Sequence, residues 1–253
     1  MKLDMPVAEG ATRLPALLEA RGLTRRYGGL VAVSDLTFEI RPGEILGLIG
    51  PNGAGKSTTF NLLSGHVKPS AGTLSFAGES IAGMPPYQVS RRGLVRTFQH
   101  DSFFREMTVI ENLTVAAQRR YRSHRERVDC ARCIAERVGL DKHLDATAGS
   151  LPHGLQRILS IGIAITPEPK LLGLDEPLTG LHTVEVEKVL TLFRTLCRAD
   201  AMTILLVDHN MKAMMGVCDR FLVLHYGKML AQGNADEVRS NPDVIRAYLG
   251  ISE

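Results

Sequence analysis

The chain has 253 residues, 44% of them hydrophobic, which is enough to bury a large core in one α/β domain or in one domain with a subdomain. The formal net charge of +3 is too small to indicate nucleic-acid binding, and we expect no nucleic-acid partner. A basic cluster does occur, but Glu126 and Asp129 interleave with it, which favours a solvated helix face. Its members are Arg119, Arg120, Arg122, Arg125 and Arg127.

The four cysteines form no disulfide or zinc framework, which suits a reducing compartment. Cys130 and Cys133 have C-x-x-C spacing inside a helical pattern, so packing on one helix face is favoured over a zinc or redox site. No run of about 18 apolar residues is present, and the first ten residues lack the apolar core of a signal peptide. We therefore expect a cytoplasmic location, with any membrane role acting through a partner.

The segment before and just after residue 50 is rich in short strands. Residues 1–15 carry no periodicity and are expected to form a loose extension, and residues 17–23 are expected to form a first strand. Tyr27 follows this strand. Its ring either stacks on adenine or packs against the protein. Leu36, Phe38 and Ile40 alternate with polar residues, and residues 72–77 offer another short strand. These patterns predict an antiparallel sheet with one exposed face.

The sequence ILGLIGPNGAGKSTTFNLL, residues 45–63, passes from an apolar strand through a glycine loop into a helical pattern. It fits G-x-x-x-x-G-K-[ST], in which glycines let backbone N–H groups point at phosphate oxygens and the helix start adds partial positive charge. Lys56 is predicted to reach the β- and γ-phosphates, and the Ser57 hydroxyl to bind Mg²⁺. The predicted nucleotide loop comprises Gly50, Pro51, Asn52, Gly53, Ala54, Gly55, Lys56, Ser57 and Thr58. A plain glycine-rich turn is the alternative.

Residues 85–165 have a different character and are predicted to be a helical insertion. Residues 108–117, 126–139 and 155–162 show helical spacing. Gln99, in RTFQ, stands where the sheet joins this insertion, so it is either a residue that contacts the metal and the attacking water or one surface glutamine among many.

Asp175 and Glu176 end the apolar strand LLGL. Asp175 is predicted to hold Mg²⁺ and Glu176 to polarise the attacking water, although such a pair can also cap the following helix. Residues 202–207 form a continuous apolar run, which is typical of a parallel strand buried on both faces. His209 follows this run, at the carboxyl edge of the sheet, where ligands bind in α/β folds. It is predicted either to contact the γ-phosphate or to cap the next helix.

With these residues assigned, the chain resembles an ABC transporter ATP-binding subunit from about residue 23 to 250. It is more narrowly similar to the ATP-binding subunits of branched-chain amino acid importers. The passages that carry the resemblance are YGGLVAVSDLTFEI, RPGEILGLIGPNGAGKSTTFNLLSG, RTFQ, EMTVIENLTVA, LDEPLTGL, MKAMMGVCDRFLVLHYGKMLAQG and NPDVIRAYLG. The resemblance implies one cassette over residues 16–253, with a mixed central sheet. A RecA-like core and an antiparallel β part would occupy residues 16–84 and 166–253, and a helical subdomain residues 85–165.

In that family, Tyr27 would stack on adenine, Gln99 would begin the loop that faces the membrane subunit, and Glu176 and His209 would be the catalytic carboxylate and the switch histidine. Mg²⁺ would be held by Ser57, Gln99 and Asp175. ATP and Mg²⁺ are the implied ligands. The implied partners are a second ATP-binding subunit, identical or not, two transmembrane permease subunits and, indirectly, a periplasmic substrate-binding protein. The chain would lie at the cytoplasmic face of the membrane.

The signature segment departs from the superfamily pattern L-S-G-G-Q. It consists here of Leu151, Pro152, His153, Gly154 and Leu155. Backbone donors at the helix start remain, but the serine hydroxyl is missing, and one such hydrogen bond is worth about ten- to a hundred-fold in affinity. Because this segment serves the ATP of the opposite subunit, the resemblance predicts a weaker site there. His182 and Asn210 also depart from the family pattern.

Other members of the superfamily and other substrates provide the alternatives. Similar ATPases serve importers of urea, amides or other amino acids, and the sequence leaves the substrate open. A soluble, non-transport ABC ATPase is also considered, but the single cassette without sustained heptads disfavours it. The segment from residue 100 to 107, with Phe103 and Phe104, would receive a helix of the membrane subunit, or those rings pack in the core.

Overall fold

The computed structural model describes residues 15–97 and 103–249. The strands in these ranges are β1 (Leu18–Tyr27), β2 (Leu30–Ile40), β3 (Ile45–Ile49), β4 (Ala71–Phe76), β5 (Glu79–Ser80), β6 (Leu94–Arg96), β7 (Leu171–Asp175), β8 (Thr203–Val207), β9 (Arg220–His225) and β10 (Lys228–Gly233). The α-helices are α1 (Lys56–Leu63), α2 (Pro86–Arg91), α3 (Val109–Ala116), α4 (His124–Val138), α5 (His153–Ile165), α6 (Thr183–Asp200), α7 (Met211–Met215), α8 (Ala235–Ser240) and α9 (Pro242–Leu249).

Within the described ranges the strands form two sheets. The larger one has the order β10-β9-β3-β8-β7-β6, in which only β10 runs antiparallel to its neighbour. Every residue of β3, β7 and β8 is buried, as the continuous apolar runs predict for parallel strands covered on both faces. The smaller sheet has the order β2-β1-β4-β5 and is antiparallel throughout, which confirms the sequence prediction.

The two faces of the larger sheet look into separate hydrophobic cores because side chains alternate along a strand. Ile45 and Ile49 of β3 belong to the core that contains α3, α4, α5 and α6. Leu46 and Leu48 belong to the core beneath the antiparallel sheet and α1. The mixed α/β architecture with an antiparallel part and a helical part is therefore confirmed.

Local sequence signals set the ends of the helices in the inserted segment. Thr108 and Glu111 form a capping box at the start of α3, and Ser123 and Glu126 form another at the start of α4. Gly139 ends α4 in the left-handed conformation, where glycine has no steric penalty. Half-buried Cys130 and exposed Cys133 lie on α4, and no group of three or more metal-ligating side chains occurs in the described part of the chain.

Two features of the segment from residue 85 differ from the sequence prediction. Residues 86–96 form the short helix α2 and strand β6, and β6 pairs in parallel with β7 at the edge of the larger sheet. In the described residues the first α-helix after this strand is α3, so the helical part begins later than predicted. A strand of three residues is too short for its alternating pattern to be recognised in the sequence. No helix within residues 15–97 and 103–249 combines the length and the apolar character needed to span a bilayer.

Candidate nucleotide site

The predicted site residues on the larger sheet meet at its carboxyl edge. Gly50 follows β3, Asp175 ends β7, and Asp208 and His209 follow β8. Strand β8 pairs in parallel with β3 on one side and with β7 on the other. The glycine loop and the Asp175–Glu176 pair therefore flank the histidine segment, at the edge where α/β folds bind ligands.

The glycine loop is shaped by close backbone approaches. Gly50 has φ of +152°, and a Cβ there would lie 2.2 Å from the carbonyl oxygen of Leu224. Gly55 has φ of +99°, and a Cβ there would lie 2.7 Å from the carbonyl oxygen of Ala32. Gly55 precedes α1 without a side-chain cap, so N–H groups in the first turn of α1 remain available to an anion.

Lys56 is folded back onto this loop. Its ammonium donates hydrogen bonds to the carbonyl oxygens of Gly50, at 2.7 Å, and Pro51, at 3.0 Å. Burial lowers the pKa of Lys56, and the negative charge of Glu176 opposes that shift. The loop therefore holds a cation beside a carboxylate, at the helix start that suits phosphate.

A cleft of about 420 Å³ opens over the loop. Its walls bring together the start of β2, the glycine loop, Glu176 and the turn between β9 and β10. The lining residues are Leu30, Val31, Ala32, Asn52, Gly53, Ala54, Gly55, Lys56, Ser57, Thr58, Glu176, Tyr226 and Gly227. Tyr27 lies outside this lining. It pairs with Leu30 at the β1–β2 turn, and the Arg25 guanidinium stacks on its ring at 4.4 Å.

Asp175 and Asp208 lie near Glu176, which lines the cleft. Asp175 and Asp208 are buried, and burial is the main cause that raises the pKa of Asp175, with Glu176 and Asp208 adding to it. Arg96 opposes this shift from 3.2 Å. Asp208 accepts hydrogen bonds from the N–H groups of Leu178 and Asn210, so it fixes the backbone after both β7 and β8. Carboxylate and hydroxyl oxygens are the donors that Mg²⁺ prefers, so Asp175 and Ser57 fit this ion chemically.

Glu176 occupies a constrained backbone position. Its φ is +48°, in the left-handed region that is uncommon for residues with a side chain, and its N–H donates to the Val207 carbonyl oxygen at 2.7 Å. The imidazole Nδ1 of His209 lies 3.9 Å from Oε1 of Glu176. The His209 side chain is 63% exposed and stands at the surface beside the carboxylate, and the N-cap residue of α7 is its neighbour Asn210.

The signature segment lies at the start of α5, in a second and smaller cleft. Pro152 is the N-cap residue and provides no side-chain hydrogen bond, which leaves backbone donors at this helix end. Gly154 is buried, whereas Pro152 and His153 are exposed. The cleft of about 300 Å³ is lined by His143, Pro152, Gly154, Leu155, Ile158, Glu185 and Lys188. It shares no lining residue with the cleft over the glycine loop.

Two of the sequence predictions concern residues outside the described ranges, namely Gln99 and residues 1–14 of the predicted extension. Phe103 is buried in the helical core, while Phe104 is 57% exposed. Of the two rings proposed for a partner surface, one thus packs inside. In the basic cluster, Arg127 donates to the carbonyl oxygens of Tyr121 and Arg122, and Arg120 pairs with Glu168.

Sequence reasoning missed four residues at this edge. No sequence pattern pointed to Arg96, because its ion-pair partner Asp175 lies 79 positions away in the chain. Asp208 was overlooked beside His209. Tyr226 is 79% exposed with φ of +45° and lines the cleft; its place before Gly227 in a turn was a usable signal. Tyr248 of α9 hydrogen-bonds to the backbone of Gly50.

Comparison with known proteins assigns the family. Residues 33–179 match the ABC transporter family, and residues 228–252 match a branched-chain amino acid ATP-binding cassette transporter family. The chain is 44% identical over 249 residues to the high-affinity branched-chain amino acid transport ATP-binding protein LivG of Escherichia coli, covering 92% of this chain and 98% of that protein. It is 39% identical to BraF, of the same description, from Pseudomonas aeruginosa, with the same coverage.

A solved structure gives the same fold. The crystal structure of the ADP conformation of MJ1267, an ATP-binding cassette of an ABC transporter, superposes with a TM-score of 0.85 at 27% identity, covering 94% of this chain and 100% of that one. The family match spans more than half of the 253 residues, and the relatives cover nearly all of them. This chain belongs to the ABC transporter family, as a nucleotide-binding ATPase cassette.

Proposed function

We propose that this chain is the ATP-hydrolysing subunit of an ABC importer for branched-chain amino acids, seated at the cytoplasmic face of the membrane. The observation that carries the proposal is the meeting of Lys56, Glu176 and His209 at one sheet edge, beside a glycine loop that lines the cleft. The substrate class is supported by the C-terminal match at residues 228–252 and by the relatives, which are branched-chain amino acid transport proteins.

In this proposal ATP lies over the glycine loop. Lys56 leaves the carbonyl oxygens of Gly50 and Pro51 and binds the β- and γ-phosphates, together with the N–H groups of residues 50–58. Tyr27 stacks on adenine, which requires its ring to exchange the Arg25 guanidinium for the base. Bound Mg²⁺, held by Ser57, Asp175 and Gln99, would neutralise charge on the phosphate oxygens.

Glu176 acts as the base for hydrolysis. It accepts a proton from a water molecule that attacks the γ-phosphorus in line with the leaving ADP oxygen. The left-handed backbone at Glu176 and its hydrogen bond to Val207 keep the carboxylate at the cleft. His209, 3.9 Å away, contacts the γ-phosphate and orients the same water. Both groups stand ready on rigid strand ends, so little reorganisation precedes the reaction.

The second half of the site comes from a partner cassette. The two clefts of this chain have no lining residue in common, so we propose that its signature segment serves the ATP of a second subunit, in a head-to-tail dimer. The backbone N–H groups at the start of α5 supply the donors, and Pro152 stands where the superfamily pattern has its serine, so no hydroxyl contributes. Two permease subunits and a periplasmic substrate-binding protein complete the transporter.

The test uses the chain reconstituted with its partner cassette and permease subunits in proteoliposomes. Glu176→Gln should bind ATP with unchanged affinity and lower the hydrolysis rate by about a hundred-fold or more. Glu187→Gln, an exposed glutamate on α6, is the matched control and should retain the rate. Wild-type hydrolysis by Glu176→Gln would refute the assigned base. Leucine with its binding protein should stimulate hydrolysis, and stimulation by urea or amides instead would refute the substrate class.

A further inference from the structure

Arg96 ends β6, the edge strand of the larger sheet, where it is paired with Gly173 of β7. Its side chain is only 12% exposed, and that of its ion-pair partner Asp175 is 7% exposed. Burying an arginine is costly unless its charge is paired and its donors are bonded. The position therefore needs a reason beyond strand pairing.

The guanidinium joins two elements of the nucleotide site. Nη2 donates to Oδ2 of Asp175 at 3.2 Å, on β7. Nη1 donates to Oδ1 of Asn61 at 2.6 Å and to Oγ of Ser64 at 3.2 Å, both at the end of α1. Helix α1 begins with Lys56 and Ser57. One planar cation thus links the strand that carries the predicted metal carboxylate to the helix that carries the predicted metal hydroxyl.

Packing around this link fixes its geometry. The guanidinium carbon lies 4.6 Å from the centre of the Phe60 ring, also on α1. The edge of that ring rests on Gly173, where a Cβ would come within 2.8 Å of it. A side chain at position 173 would therefore strike the Phe60 ring, and its absence lets α1 pack directly against β7. A lysine, with a single ammonium, lacks the fork that reaches both elements at once.

We propose that Arg96 is a positioning residue that holds Asp175 and α1 in register, so that Mg²⁺ meets correctly spaced ligands when it enters with ATP. The proposal rests on the proposed function. Mg²⁺ requires near-ideal octahedral geometry, so a small displacement of one ligand weakens it sharply. Without Arg96, the Asp175 carboxylate is left beside Glu176 and Asp208, whose charges repel it.

The experiment measures ATP binding by calorimetry with MgCl₂ and with EDTA, alongside thermal unfolding, for wild type, Arg96→Gln and Arg96→Lys. The dissociation constant in EDTA divided by that in MgCl₂ reports how much the metal strengthens ATP binding. We expect both variants to lower that ratio by about tenfold while binding in EDTA changes by less than about threefold. Asn61→Ala removes one anchor of the link and should lower the ratio by a smaller factor, which keeps the test decisive if Arg96→Gln does not fold.

Arg220→Gln is the matched control. Arg220 forms a comparably buried ion pair with Glu44, with side chains 14% and 9% exposed. It lies on β9, near the edge of the larger sheet opposite to β6. It should lower the melting temperature without changing the ratio. Arg96 variants that lose stability but keep the wild-type ratio would overturn the positioning role and leave the proposed function intact. A wild-type ratio of one would also overturn the positioning role, because Mg²⁺ would then add nothing to ATP binding, while the Glu176→Gln and Glu187→Gln comparison tests the proposed function separately.

Discussion

The carboxylate of Glu185 lies against Gly154, so closely that a Cβ at position 154 would be 2.3 Å from Oε1. The same glutamate accepts a hydrogen bond from the N–H of His182 at 2.9 Å. Glu185 therefore connects the signature helix to the loop before α6. We expect Gly154→Ala to displace Glu185, break this cap and cost about 1 kcal/mol of unfolding free energy. Urea denaturation measures the cost.

A double-mutant cycle separates the steric effect from the loss of the cap. Glu185→Ala alone should cost a similar amount, because His182 loses its acceptor. In Gly154→Ala/Glu185→Ala the new methyl group meets no carboxylate, so the combined cost should fall below the sum of the two single costs. Strict additivity would show that the two residues do not interact.

Gly50 and Gly53 should respond differently to the same substitution. Both have positive φ, but a Cβ at Gly50 would strike the Leu224 carbonyl at 2.2 Å, whereas a Cβ at Gly53 would have no neighbour within 4 Å. Gly53→Ala should cost only the left-handed strain, about 1–2 kcal/mol. Gly50→Ala should cost about 3 kcal/mol or more and abolish ATP binding, since the loop must separate from β9. Unfolding and ATP titration of both variants give the comparison, and equal losses would contradict it.

Tyr248 should ionise late. Partial burial raises the pKa of Tyr248 to about 12, although the residue is still 39% exposed and its hydrogen bond to Gly50 opposes the shift. The unfolded phenol ionises near its ordinary pKa of about 10, so the stability from this group is present below that pH and is lost as pH rises toward 12. An ultraviolet titration should lose its highest phenolate transition in Tyr248→Phe and keep it in the matched variant Tyr226→Phe.

The cysteines should differ in reactivity. Cys133 is exposed, whereas Cys218 is buried, and burial raises the pKa of the Cys218 thiol, which reduces its reactive thiolate at neutral pH. With a disulfide reagent, the native protein should show a fast phase that disappears in Cys133→Ser and persists in Cys218→Ser. Cys218 should react only in denaturant. A fast phase that survives in Cys133→Ser would contradict this assignment.

Elements with strong local signals were predicted well. Strand β3 coincides with the apolar strand predicted before the glycine loop. The apolar run before Asp175 gave β7 to within one residue. In contrast, α8 was missed although Asn234 and Glu237 form a capping box, because only six residues follow the cap. Short elements carry too few turns for periodicity to show.

The spatial partners of the site could not be read from the chain. Gly50, Asp175 and His209 were each placed at a strand end, and the parallel pairing of β3, β8 and β7 brings those ends together. The bond from Arg96 to Asp175 depends on the sheet order, which no local pattern contains. The placement of Tyr27 outside the cleft lining likewise depends on the β1–β2 turn and on the Arg25 stack. Its proposed contact with adenine remains a prediction.

Strand β3 lies between the two hydrophobic cores, with Ile45 and Ile49 in one and Leu46 and Leu48 in the other. Opening either layer alone leaves this strand covered by the remaining one. Its amide hydrogens, bonded on both sides to β8 and β9, should therefore exchange with solvent only when the whole domain unfolds. The glycine loop is thus anchored to the backbone that opens last.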